Sequence, residues 1–186
     1  MTPAETRLTT IPWHALDGLG PELDAPLTAV LAHEPAERVL DKFLRAHRAF
    51  TPEQRQVSAE ALFGVGLWRR RLRAHLPPAT PLQLLAILAT ELGQHPDAAA
   101  RLGVTLPALA PTPTDWRDRH SVPDWIAAHL EARFGPDGAT ALAAELNRPG
   151  PVCLRAKGAR DALAAQLARA GVETIPGRWS PRALLV

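Results

Sequence analysis

From about Pro35 onward the apolar positions fall into helical periods. Val39, Leu40, Phe43, Leu44 and Ala46 share one face of a segment running from about Pro35 to Phe50, and Arg38, Lys42, Arg45 and Arg48 recur at steps of four, three and three. The pattern predicts a helix with an apolar face and a basic stripe. Thr51, Pro52 and Gln54 restart the chain as a capping box with proline at the first helical position, where no amide donor is needed. The helix that follows, from Pro52 to about His75, places Val57, Ala61, Val65, Trp68 and Leu72 on one face with Leu62 and Phe63 beside it, a surface broad enough to be central to a helical core. Gly64 and Gly66 within it each cost ~1 kcal/mol relative to alanine, so close packing of a neighbouring helix is the natural reason for them. The same start signal returns at Thr80, Pro81 and Gln83, opening an apolar helix that ends at Gly93, and a short helix from Pro96 to Leu102 closes with Gly103.

The flanking regions carry weaker patterns. Pro12, Gly18, Gly20, Pro21 and Pro26 interrupt residues 1–34, which read as an irregular leader with one short helix near 26–32 and with Trp13 and Leu16 as docking points. The proline-rich stretch 105–120 reads as an extended connector. Ser121, Pro123 and Asp124 are placed to cap a helix from Val122 to Phe134 with Trp125, Ile126, His129 and Leu130 inward and Gly135 as its terminator, and a further helix runs from about Gly138 to Leu146. After Pro149, Gly150 and Pro151 the character changes. Residues Pro151 to Arg155 are strand-like, Ala159 to Ala170 is an amphipathic helix closed by Gly171, and Val172 to Ile175 and Ala183 to Val186 are strand-like again. Ending on an apolar strand leaves an edge unpaired, an aggregation liability that implies that the natural chain, or its ancestor, continued.

Composition adds a charge argument. The 186 residues carry a net charge of only +2, yet 38–73 holds nine Lys or Arg against Asp41, Glu53 and Glu60, a local +6 that leaves −4 for the rest. A concentrated basic region on a nearly neutral protein points to a polyanion. Arg69, Arg70, Arg71 and Arg73 close the long helix. Cations there complement the helix dipole, and phosphate contact is the alternative for a cluster of this size. The chain is rich in Ala, Pro and Arg with only two lysines, so arginine abundance by itself decides nothing. No apolar run approaches the ~20 residues of a membrane span and no secretory leader is evident, which places the chain in the cytoplasm and away from membranes. Seven dispersed histidines and the single Cys153 offer no metal-site spacing and no internal disulfide. Cys153 reads as a small core residue.

Two blocks carry a family resemblance. PAERVLDKFLRAHRAFTPEQRQVSAEALFGVGLWRRRL resembles the NusB-type helical domain at the start of Sun/RsmB-type ribosomal RNA cytosine-C5 methyltransferases, and SVPDWIAAHLEARFG followed by NRPGPVCLRAKG resembles the segment before their catalytic domain. In that family a Pro-x-x-Leu-Arg motif, here Pro151, Leu154 and Arg155, is followed two residues later by asparagine. Here Lys157 stands there, and the loop after it is shortened. The resemblance implies a mainly α fold, a NusB-like helical bundle over 35–104, a connector over 105–120, a helical pair over 121–147 and a small, incomplete β-α-β segment over 148–186. It also implies S-adenosylmethionine as cofactor, but only with a catalytic domain. That chemistry requires a cysteine thiolate to saturate C6 of the pyrimidine before C5 becomes nucleophilic, and residues 1–186 lack the proline-cysteine motifs and glycine-rich cofactor loop that would carry it.

The expectation is therefore an RNA-binding front module with no catalytic residues of its own, holding rRNA for a catalytic domain or a separate protein. Its phosphate contacts are Arg38, Lys42, Arg45 and Arg48 on one helix, Arg69, Arg70, Arg71 and Arg73 on the next, and Arg155 and Lys157 on the catalytic side. Base stacking falls to Trp68 or Trp179, with burial in the core as the alternative for each. A stand-alone NusB-like antitermination factor and a helical protein-interaction domain are the competing readings.

Overall fold

The structure, a computed structural model that describes residues 3–148 and 150–186, divides into two units, Met1–Arg148 and Pro149–Val186. Among the described residues no helix is long and apolar enough to cross a membrane.

In the first unit the sequence predicts an irregular leader, and the structure has ordered helix instead. Helix α1 (Pro3–Leu8), a 3-10 turn over Trp13–Leu16 and α2 (Gly20–Leu31) lay Leu8, Trp13, Leu16, Leu23 and Leu27 fully into the core. Pro21 falls in the first turn of α2, where its missing amide is tolerated. Pro26 is inside that helix, so burial of the surrounding leucines outweighs the breaker signal. Trp13 and Leu16 are docking points as the pattern indicates, and the indole Nε1 of Trp13 donates to the Leu8 carbonyl at 2.8 Å.

Helix α3 (Ala36–Ala46) buries Val39 and Phe43 and stops short of the predicted Phe50. The rings of Phe43, His47 and Phe50 cluster with centroids 4.3 to 5.7 Å apart as the chain turns out of the helix. Arg48 therefore leaves the helical stripe. Helix α4 (Pro52–His75) has the full capping box: Thr51 Oγ1 accepts from Gln54 N–H, and the Gln54 side chain accepts from Thr51 N–H. A Cβ on Gly64 would stand 2.7 Å from a Leu88 methyl, and one on Gly66 3.1 Å from a Val30 methyl, so the two glycines mark close approaches as inferred.

Helix α5 (Pro81–Ile87) repeats the capping box at Thr80 and Gln83, then widens into a π turn over Leu88–Leu92. Gly93 ends the turn against Trp13, where a Cβ would meet the indole Nε1 at 2.3 Å. Helix α6 (Ala98–Arg101) follows. The proline-rich connector is tied to the core: Ala110 N–H donates to the His75 carbonyl, and Gln83 Nε2 donates to the Thr105 carbonyl. The connector also holds an unforeseen helix α7 (Trp116–Arg119), capped by Asp115. Helix α8 (Asp124–Leu146) is broken at Gly135, whose φ of 67° matches the expected terminator. Spacing places Trp125 and His129 inward. Both are exposed, Trp125 at 69%, and Ala127, Ala139 and Ala143 are the buried positions instead. Ser121 does not cap α8; it accepts a hydrogen bond from Arg70 N–H.

The second unit holds β1 (Cys153–Arg155), α9 (Arg160–Arg169), β2 (Ile175–Pro176) and β3 (Ala183–Leu185). The expected breaker Pro149 lies outside the described residues. Strand order is β1-β3-β2, with β3 antiparallel to both neighbours. β1 and β2 thus run the same way with β3 between them, a split β-α-β unit. This corrects the edge argument: the last strand is the middle one, and β1 and β2 are the edges. Register pairs Leu154 with Leu184, and Cys153 and Ile175 with Leu185, so strand alternation puts Cys153 on the face opposite the buried Leu184. Cys153 is exposed and not the core residue predicted.

Candidate nucleic-acid interface

The ten basic side chains singled out by sequence fall into three groups with different environments. On α3, steps of four and three carry Arg38, Lys42 and Arg45 around one exposed flank, opposite the buried Val39 and Phe43. Arg38 and Lys42 have no ion pair among the described residues, and they rim a groove of about 450 Å³ between α2 and α3 floored by Phe43. Arg45 pairs with Asp41 at 2.9 Å, but both side chains are largely exposed, and such a pair is worth less than about 1 kcal/mol. Arg48 is exposed in the following turn, and its carbonyl accepts a hydrogen bond from Arg55.

The second group does not hold together. Arg71 is buried, its side chain 6% exposed, between Glu91 and Glu5, each 2.5 Å from a guanidinium nitrogen. Burial pulls its pKa down, and the hydrogen bonds to Glu91 and Glu5 reverse that effect and hold it above the ordinary value. Arg70 donates to Asp118, to Asp124 and to the Val122 carbonyl, tying the end of α4 to α7 and the start of α8. The bond from Arg70 in turn holds the Asp124 carboxyl below its usual range. Neither guanidinium is offered to a phosphate, which removes Arg70 and Arg71 from the outward-facing set. A 100° step per residue explains the split, because four cations within five helical positions cannot share one face. Arg73 is exposed, and Arg69 is half-buried with a contact to His33 at 3.2 Å.

The third group belongs to the second unit. Arg155 and Lys157, at the end of β1, are exposed and line a cleft of about 410 Å³ with Ala156 and Arg182. Arg182 escaped the sequence reading because it lies far from the basic window at 38–73, yet a usable signal existed: 149–186 contains Arg155, Lys157, Arg160, Arg169, Arg178 and Arg182 against Asp161 and Glu173, a net +4. Residues 1–148 therefore sum to −2, and much of the +6 window within them is answered by acids from elsewhere in the chain, Glu5, Glu91, Asp118 and Asp124.

The two tryptophans considered for stacking separate cleanly. Trp68 is buried in α4, with Arg71 over its ring, and Trp179 is 87% exposed. Among the described residues no group of three or more His, Cys, Asp or Glu is arranged to hold a metal ion.

Residues 122–186, about a third of the chain, match the model of the ferredoxin-like domain of RsmF/RsmB-like methyltransferases. The matched span covers α8 and all of the second unit, and the NusB-type resemblance over 35–104 lies outside it. No curated protein and no solved structure matches the chain.

Proposed function

We propose, from the likeness of residues 122–186 to the ferredoxin-like domain of RsmF/RsmB-like methyltransferases, that this chain belongs with the Sun/RsmB-type methyltransferases and is an RNA-binding module which holds rRNA for a methyl-transfer domain outside residues 1–186. The observation that carries the reading is that exposed cations without ion pairs among the described residues cluster in two places: Arg38, Lys42 and Arg48 on and after α3, and Arg155, Lys157 and Arg182 in the second unit. Guanidinium and ammonium groups that face water without an internal carboxylate are available to replace the counterions of a phosphate backbone. Their role is positioning. The cytosine chemistry and the S-adenosylmethionine site belong to the catalytic domain, and no residue here is assigned to either.

The test is fluorescence anisotropy of the full chain with labelled rRNA across a range of salt. Affinity is expected to fall steeply with ionic strength, and replacing Arg38, Lys42 and Arg48 together by alanine should lower the slope of log K against log salt by about 2 to 3. Binding that ignores salt, or no binding at all, would remove the RNA reading and leave a helical protein-interaction domain, with the groove between α2 and α3 as its first candidate surface.

A further inference from the structure

At one end of the small sheet, chemistry converges that the sequence leaves scattered. β1 runs into Arg155, Ala156 and Lys157 at the end where β3 begins, because Arg155 pairs with Ala183 and Ala156 N–H donates to the Arg182 carbonyl. β2 finishes at the same end, so the connection 177–182 between β2 and β3 closes over it. That connection is tightly built. Gly177 N–H donates to the Ala183 carbonyl at 2.8 Å, Ala183 N–H donates to the Ser180 carbonyl at 3.1 Å, and a Cβ on Gly177 would collide with that of Ala183 at 2.5 Å. On this short, hydrogen-bonded loop stands Trp179, the most exposed large apolar side chain among the described residues. The Arg178 guanidinium lies 4.6 Å from the centre of its ring and steadies the indole while leaving the rest of it open to solvent.

A lone exposed apolar side chain implies no partner by itself, so the setting of Trp179 carries the argument. The surroundings identify the partner's chemistry. Arg155, Lys157 and Arg182 line one cleft, Arg178 stands beside the ring, and none of the four is in an ion pair among the described residues. Asp161, the acid that follows β1, is itself 3.5 Å from Arg160. Trp and Arg also serve protein interfaces, but four cations without ion pairs among the described residues at one end of the sheet match a polyanion, and the exposed indole in the loop at that end gives a base a ring to stack on.

We propose that this end of the second unit is a subsite for an unpaired nucleotide, with Trp179 stacking the base and Arg155, Lys157 and Arg182 holding the adjoining phosphates. The assignment rests on the RNA-binding reading and adds to it a preference for single-stranded over paired RNA at this site. Paired bases present no free face to the indole.

The test uses the full chain with two labelled probes, an oligouridine of about ten nucleotides and a blunt RNA duplex of similar length. Trp179→Ala should weaken oligouridine binding roughly ten-fold, the size of one base stack, with duplex binding unchanged and Trp179→Phe close to the parent. Arg155→Ala, Lys157→Ala and Arg182→Ala combined should lower the salt slope for oligouridine by about 2. Since Trp179 is on the surface, its loss should leave the melting curve in place, which separates a binding defect from misfolding. If Trp179→Ala binds oligouridine as the parent does, or weakens both probes alike, the subsite is wrong. Should rRNA binding persist and respond to the α3 substitutions in that case, only this inference falls; absence of binding to every RNA overturns both readings.

Discussion

Replacing Arg71 by alanine separates a structural arginine from an RNA-binding one. In sequence Arg71 is the centre of the most basic stretch of the chain, and in the fold it is the cation between Glu91 and Glu5, with a longer bond to the Arg119 carbonyl at 3.3 Å. All three ionic side chains are 15% exposed or less, so little water is available to take over when the guanidinium is removed. Removing one partner of a buried ion pair costs about 3 to 5 kcal/mol, chiefly because charge is left in a poorly solvated site. For a chain of this size each kcal/mol moves the melting temperature by about 2 to 4 °C, so Arg71→Ala should melt roughly 6 to 20 °C below the parent. Circular dichroism melts and urea titrations of the two proteins measure this directly. Arg71→Met combined with Glu5→Gln and Glu91→Gln should recover part of the loss, since neutral groups carry no comparable desolvation cost. At a temperature where both proteins are folded, Arg71→Ala should bind rRNA as the parent does. A melt within about 1 kcal/mol of the parent together with weakened RNA binding would refute the structural assignment.

Two further perturbations probe the fold that positions the candidate interface. Gly93→Ala would place a methyl 2.3 Å from Trp13 Nε1 and 2.6 Å from the Ala89 carbonyl, and such overpacking should cost about 2 to 3 kcal/mol in urea titrations, whereas Gly150→Ala, which meets nothing within 4 Å, should be neutral. His120 is buried and held below its ordinary pKa of 6.5, first by burial and then by Arg119. Its neutral form is therefore favoured by folding, so its contribution to stability is complete above pH 6.5 and is lost as the pH falls from there through its lower folded value. The melting temperature should drop on mild acidification, and His120→Asn should drop less over the same window; identical acid branches would show that another group titrates.

The signals that the structure matches depend on a few neighbouring residues. Both capping boxes form as Thr51, Pro52, Gln54 and Thr80, Pro81, Gln83 dictate, because a cap is a bond between a side chain and a backbone group three positions away. Gly135 and Gly171 end their helices at positive φ for the same local reason. Sequence pattern and structure part where burial outweighs local preference. Pro21 and Pro26 look like breakers, yet the leucines around them carry α2 into the core. Trp125 has core spacing but faces solvent, and small alanines do the packing on α8.

What the sequence determined by itself is the helical first unit from α3 to α6, the strand–helix–strand order after Pro149 and the basic window at 38–73, since periodicity, caps and charge counts need no knowledge of distant residues. Only the tertiary structure decided which cations remain available, because Glu5, Glu91, Asp118 and Asp124 reach Arg70 and Arg71 from across the fold and no sequence window contains both sides of those pairs. It also decided that the final strand lies in the middle of its sheet and that Trp179 stands beside Arg178 in the loop before it, since strand order follows from which edges pair and not from the order in which the strands occur along the chain.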